Sequence, residues 1–252
     1  MNSTLAALLK RPDLWQASAT LDITHGIATG YAPLNASLHH GGWPTGALTE
    51  LLCRQPGSGE LQLLAPTLAQ LSAAGHSLVL IAPPYLPYAP AWQHWNISLE
   101  RLLVVQTTTL RDQLWATEQG LRAASGGAVL TWLTTANLSV PQLRKLQLAA
   151  QAGAGLAILF RSRQTANQPS PATLRIAIES TADGCQLTIL KQRGGWSGQS
   201  VCLQRPDILS QRAMPTQRLP APQPVCATGS ETDPVSPPQA RPRALPLRPA
   251  LQ

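Results

Sequence analysis

The chain is poor in charge. Asp, Glu, Lys and Arg make up 12% of its 252 residues, about half the share of an average soluble domain, which excludes a charge-driven disordered polymer. Lysine occurs three times, at Lys10, Lys145 and Lys191, and no Asp or Glu lies between Leu61 and Leu99. Phosphoryl transfer depends on placed cations and on acidic groups for metal or water, so both gaps work against it. The four cysteines, Cys53, Cys185, Cys202 and Cys226, include no CxxC pair. Zinc needs clustered thiolates and imidazoles, and a disulfide framework needs density; free thiols and no metal site are expected. No apolar run reaches the roughly 18–20 residues of a membrane span. The opening MNSTLAALLKRPDLW has no basic region followed by an apolar stretch, so no export signal is read. A cytoplasmic protein without a membrane partner is expected.

What is present is apolar and uneven. Hydrophobic residues account for 44%, enough for one sizeable core. Residues 1–140 carry six Lys/Arg against seven Asp/Glu, and residues 141–252 thirteen against five, within a net charge of +7. A basic half suits nucleic acid, an acidic protein partner, or simply a solvated face. Residues 206–252 hold eleven of the 23 prolines, in stretches such as RLPAPQP, DPVSPPQ and ARPRALPLRP. Proline fixes φ and removes a donor, so this part is expected to be a disordered, polyproline-like tail beyond a core that ends near Arg205.

Inside the core, apolar runs alternate with helix-period segments. Residues 47–53, 77–82, 101–106, 128–133 and 155–160 read as buried strands, and 60–75, 110–126 and 141–153 as helices. In the second helix Leu110, Leu114, Trp115 and Leu121 are assigned to one face; in the third Leu143, Leu146 and Ala150 are, with Gly153 as C-cap. Such alternation predicts an α/β fold, a mainly parallel sheet with helices on both faces. Residues 174–205 have no helices between their apolar runs and read as closing antiparallel strands. The expected division is 1–45 for an N-terminal helix (Leu5, Leu8, Leu9) and connecting turns, 46–205 for the core, and 206–252 for the tail.

The first strand leads into a loop containing Gly57, Ser58 and Gly59, and a helix follows. Strand, glycine loop and helix are the setting of a phosphate-binding loop. Here Glu60 and Leu61 stand where lysine and a hydroxyl residue are needed. The loop therefore reads as a structural turn in which Glu60 complements the helix dipole, with no cofactor and no catalytic residue. Arg161, Arg163, Arg175, Lys191 and Arg193 are candidates for a basic edge touching phosphates, with few aromatics for base stacking, so direct DNA binding is expected to be weak or absent. Tyr85, Tyr88 and Trp92, near Trp43 and Trp95, either cap a sheet edge or form a protein-binding surface. In the tail, Arg241, Arg243 and Arg248 mark a candidate docking segment. His39 and His40 read as loop residues, not ligands.

Ala28-Thr29-Gly30, Leu34-Asn35 and the run GGWPTGALTE at 41–50 resemble the opening of the RecA core, and the likeness extends to about residue 205. GGWPTGALTELL, the GxGEL of 57–61, IAPPYLPYAPAW, QLWATEQGLR, LRKLQLAAQAG and LKQRGGW are similar to the ImuA family, RecA-like accessory proteins of bacterial damage-induced mutagenesis. The resemblance implies a RecA-like core and a non-catalytic adaptor of SOS-induced, error-prone translesion synthesis. It implies ImuB and RecA as partners and, indirectly, an error-prone replicative-type DNA polymerase, with nucleoid association on recruitment. The RecA positions of the P-loop lysine, the catalytic glutamate and the later-strand aspartate fall on Glu60, Pro84 and Trp132, which implies lost ATPase chemistry. SulA shares such a core without its ATP site, so a division inhibitor binding FtsZ is the alternative.

Overall fold

Every residue of Ala47–Cys53 is buried, the pattern of a strand covered on both faces. In the computed structural model, which describes residues 26–57, 59–133, 137–182 and 184–204, this strand lies inside the sheet. The elements in chain order are β1 (Gly26–Ile27), α1 (Ala32–Ser37), β2 (Trp43–Pro44), β3 (Ala47–Cys53), α2 (Glu60–Ala73), β4 (Leu78–Ile81) and α3 (Ala89–His94). There follow β5 (Leu102–Val105), α4 (Leu110–Ala123), β6 (Ala128–Leu133), α5 (Val140–Gly153), β7 (Leu156–Ser162), β8 (Leu174–Thr181), β9 (Gly184–Gln192) and β10 (Ser200–Gln204). β1 and β2 form a small antiparallel ribbon. The other eight strands form one sheet in the order β10-β9-β8-β3-β7-β6-β4-β5.

The expected mixed architecture is observed, with one difference at its closing end. β8 is parallel to β3, and only β9 and β10 run antiparallel to their neighbours. The chain leaves β7, passes through a 3₁₀ turn at Arg163–Asn167 and returns on the far side of β3 without an α-helix. Within 1–45, expected as an N-terminal helix and connecting turns, the described part contains α1 and the β1–β2 ribbon. Residues 1–25, with the expected Leu5–Leu8–Leu9 helix, and 205–252 lie outside the described residues.

Two apolar layers sandwich the sheet. On one face α1, α2 and α3 contribute Leu34, Leu64, Leu68 and Trp92 to a cluster with Leu51, Leu80, Leu130, Ile158 and Ile176. On the other, α4 and α5 place Leu121, Leu143, Leu146 and Ala150 against Leu48, Val129, Ala157 and Leu159. Trp115 does not join that layer; it is 64% exposed. At about 100° per residue it points roughly 140° away from Leu110, whereas Leu114 and Leu121 fall within about 40° of it.

α5 starts with a capping box, Ser139 accepting from the Gln142 backbone while Gln142 reaches back to the Ser139 N–H, so two otherwise orphaned donors are satisfied. Its end differs from expectation. Ala154 takes the left-handed cap conformation at φ 56°, and Gly153 is the last helical residue. Its role is close approach: a Cβ on Gly153 would stand 1.8 Å from the Leu121 carbonyl oxygen of α4.

The two helices are also tied by charge. Lys145 Nζ lies 2.7 Å from Glu118 Oε2, and Arg122 Nη2 lies 3.2 Å from Oε1. The hydrogen bond from Lys145, helped by Arg122, holds the Glu118 carboxyl below its ordinary value of 4.5. A carboxyl lowered in the folded state stabilises above its unfolded value, and that stabilisation disappears as pH falls through the folded value. Urea midpoints measured from neutral pH into acid should therefore decline less steeply in Glu118→Gln than in the parent once pH passes below 4.5. Parallel acid limbs would show that the pair adds nothing.

Candidate functional site

The C-terminal ends of the parallel strands gather the residues of interest, as in open α/β sheets generally. β3 ends at Cys53 and a loop leads to α2. Gly57 and Gly59 in it have φ of 83° and 97°, a region that glycine enters without steric cost. The turn brings the chain back over the helix N-terminus, where Gly57 N–H donates to Glu60 Oε1 at 2.7 Å. Glu60 is the first residue of α2 and is 3% exposed. A helix N-terminus with free N–H groups attracts anions; this one already holds a carboxylate of its own chain. A phosphate approaching it would meet that negative charge. Ser58 lies outside the described residues.

Beside the loop, Trp132 at the end of β6 stacks on Phe160 at the end of β7, with centroids 4.6 Å apart and planes 24° from parallel. Gln113 of α4 donates to the Trp132 carbonyl. A cavity of about 210 Å³ remains between this pair, Glu60 and the exposed Arg54.

The basic edge has a different construction from the one expected. Glu50, in the middle of β3 and 0% exposed, faces two guanidiniums. Arg161 Nη1 donates to Oε1 at 3.1 Å and Arg175 Nε to Oε2 at 2.7 Å, while Ser170 Oγ donates to Oε1 at 2.6 Å. Glu50 and Arg175 are register partners on adjacent strands. The remaining Arg175 donors reach the carbonyls of Thr165, Ala166 and Gln168. Arg161 and Arg175 are therefore buried structural groups, a correction to their reading as phosphate contacts. The physical reason is that a carboxylate inside a sheet must find counter-charge, and these arginines supply it. Lys191 donates to the Ser170 carbonyl at 2.8 Å, and burial, with Arg175 and Arg193 adding, lowers its pKa. Arg163 is partly exposed beside Glu179, at 3.6 Å, and Arg193 is exposed.

The aromatic candidates also divide. Tyr85 and Tyr88 are 69% and 71% exposed, with Leu86 between them at 85%. Trp92 is instead a core residue at 2% exposure, because α3, which follows the proline loop, turns it inward beside Trp95, at 5.8 Å between ring centroids. It is removed from the partner surface. Trp43 is likewise fully buried. Arg241, Arg243 and Arg248 lie outside the described residues. His39 and His40 pack edge to face at 4.6 Å, and burial, then His39, lowers the pKa of His40.

Glu50 was absent from the candidates, although the signal was present. It is the one charged residue of the apolar run ALTELLC, and a charge in a buried strand requires a partner. Among the described residues no group of His, Cys, Asp and Glu has the spacing to hold a metal ion, and no helix is long and apolar enough to cross a membrane. No protein-family model and no curated protein matches the chain.

Proposed function

We propose that the chain is a non-catalytic, RecA-like adaptor of SOS-induced, error-prone translesion DNA synthesis, acting through contacts with ImuB and RecA. The observation that carries the reading is Glu60. The loop with the phosphate-binding arrangement of strand, glycine turn and helix has its Gly57 N–H bonded to a carboxylate of the same chain. A loop so occupied favours a scaffold over a nucleotide motor. The mainly parallel sheet, with this loop at the end of the inner strand β3, supports the RecA-like assignment, and the sequence likeness supports the choice of partners. The exposed Tyr85, Leu86 and Tyr88 offer a contact surface of the kind an adaptor needs.

Co-purification tests the reading. The tagged full-length chain is mixed separately with RecA, ImuB and FtsZ, and retained protein is quantified. Retention of RecA or ImuB, with no ATP turnover by the chain itself, is the expected result. Retention of FtsZ alone, with inhibition of its GTPase, would move the protein to division control. ATP turnover that disappears in Glu60→Ala would overturn the non-catalytic assignment.

A further inference from the structure

The turn between β9 and β10 holds Trp196 in solvent. That ring is 82% exposed, more than any other Trp or Tyr among the described residues. The turn that carries it is nonetheless tightly fixed. Gly198 N–H donates to the Ile189 carbonyl at 2.7 Å, and Arg193 N–H to the Thr173 carbonyl, just before β8, at 2.9 Å. The Gln192 side chain ties the turn to the loop after α1. Its Nε2 donates to the carbonyls of Trp196 and Ser37, and its Oε1 accepts from His39 N–H at 2.8 Å. Gly194 and Gly195 press against the His39 ring and the Gln192 side chain, where an added Cβ would stand 2.8 and 2.5 Å away. Leaving a large apolar ring in water forgoes the stabilisation of burying it, and fixing its turn beforehand lowers the ordering cost of binding.

The surroundings are cationic. Arg193 and His39 are exposed, and Lys191 and His40 are half-buried. Segments 37–44, 170–175 and 184–204 meet here through the bonds above and the Lys191–Ser170 bond, and none of them contains Asp or Glu. The Glu50 carboxylate within electrostatic reach of Lys191 is buried and already matched by Arg161 and Arg175. An anion with flat apolar faces satisfies the exposed guanidinium and the exposed ring together. A carboxylate-bearing peptide answers Arg193 and leaves the ring without a flat partner. A duplex keeps its base faces stacked inside. A single strand presents both groups, since its bases stack on aromatic side chains and its phosphates pair with cations.

We infer that this hairpin binds single-stranded nucleic acid, with a base stacked on Trp196 and a neighbouring phosphate paired with Arg193 in the positive field of Lys191. One ring and one exposed guanidinium make a weak, salt-sensitive contact, in the roughly 10⁻⁴–10⁻⁶ M range of non-specific binding. The inference stands apart from the adaptor reading and goes beyond it by adding a direct contact with the strand.

The test is fluorescence anisotropy of the full chain with fluorescein-labelled oligothymidylate over a series of salt concentrations. A duplex of equal length, polyglutamate and thymidine monophosphate serve as competitors. Saturable binding is expected, displaced by unlabelled oligothymidylate and poorly by the three competitors. Trp196→Ala should loosen the strand about tenfold, the effect of losing one stacked base, with the salt slope unchanged, and Trp196→Phe should recover part of the loss. Arg193→Gln should instead lower the slope of log K against log salt by about 0.7, the share of one phosphate contact. Both side chains are exposed, so melting curves should be unchanged. Arg241, Arg243 and Arg248 also attract phosphates, so the series is repeated in Arg241→Gln/Arg243→Gln/Arg248→Gln, where the Trp196 effect should persist. Absence of binding, equal competition by duplex, polyglutamate or mononucleotide, or indifference to Trp196→Ala overturns the inference. RecA or ImuB retained without oligothymidylate binding removes the hairpin site alone; oligothymidylate bound with neither retained removes those partners and leaves the site.

Discussion

Glu50→Ala is expected to destabilise the protein by about 3–5 kcal/mol, the cost of breaking a buried ion pair from one side. The substitution leaves Arg161 and Arg175 with no counter-charge in the sheet; their side chains are 1% and 7% exposed. A cost of that size is a large part of the roughly 5–15 kcal/mol that holds an ordinary domain together, so much of the chain should unfold or express poorly. Glu50→Gln keeps an acceptor for Ser170 but not the charge, and should recover only a minor share. The sharper comparison is the triple variant Glu50→Leu/Arg161→Met/Arg175→Leu. Removing a buried ionic group as a whole is often neutral or stabilising, so the triple should be more stable than Glu50→Ala. It should still differ from the parent locally, because Arg175 also ties down the carbonyls of Thr165, Ala166 and Gln168. Amide exchange across residues 163–170 should be faster in the triple even where its urea midpoint has returned. If Glu50→Ala melts with the parent, the two arginines reach solvent and the buried arrangement is wrong.

The second large effect is steric. Gly153→Ala adds one methyl group, and by helix propensity alone it would stabilise by roughly 0.8–1.0 kcal/mol. The added Cβ would sit 1.8 Å from the Leu121 oxygen and 2.9 Å from its carbonyl carbon. Backbone cannot rotate away as a side chain does, so α5 has to separate from α4. The expected net loss is about 3 kcal/mol, the upper part of the overpacking range, or roughly 6–12 °C in Tm for a chain of this size. Gly120 of α4 is the control. Its added Cβ would meet the Ile81 Cδ1 at 3.4 Å and Val129 methyls beyond that, a soft contact that the propensity gain offsets. Gly120→Ala should melt within a degree or two of the parent. Equal melting of Gly153→Ala and Gly120→Ala would show that α4 and α5 do not pack this closely.

The series of strands and helices was legible because burial leaves a period in the sequence. Runs such as AVLTWL and ALTELLC are short, largely apolar and preceded by glycine, which favours covered strands over helices. Pairing was not legible. Nothing in the runs of 47–53 and 174–180 says that β8 lies beside β3, since a period reports which face is buried and not which strand is adjacent. The basic edge failed for that reason: Glu50, Arg161 and Arg175 are scattered in sequence and meet only after β7 and β8 flank β3. Tyr85 and Tyr88 were readable as loop aromatics from the prolines around them. Trp92, four residues beyond Tyr88, was not, because the short helix α3 decides its direction. Gly153 looked like a cap because glycine at the end of a helical period usually is one; the close approach of α4 is invisible from α5 alone.

The position of β3 bears on how the chain is made. Its ion-pair partners lie 111 and 125 residues further along. At about 5–20 residues per second of synthesis, β3 emerges from the ribosome roughly 5–25 s before the strands that flank it. Through that interval ALTELLC is an apolar, unpaired segment in a nascent chain, the kind that associates with its neighbours. An ionised side chain at its midpoint interrupts such association. Glu50 thus meets two environments in turn: water while ALTELLC is nascent, and the buried pairing with Arg161 and Arg175 once β7 and β8 have been made.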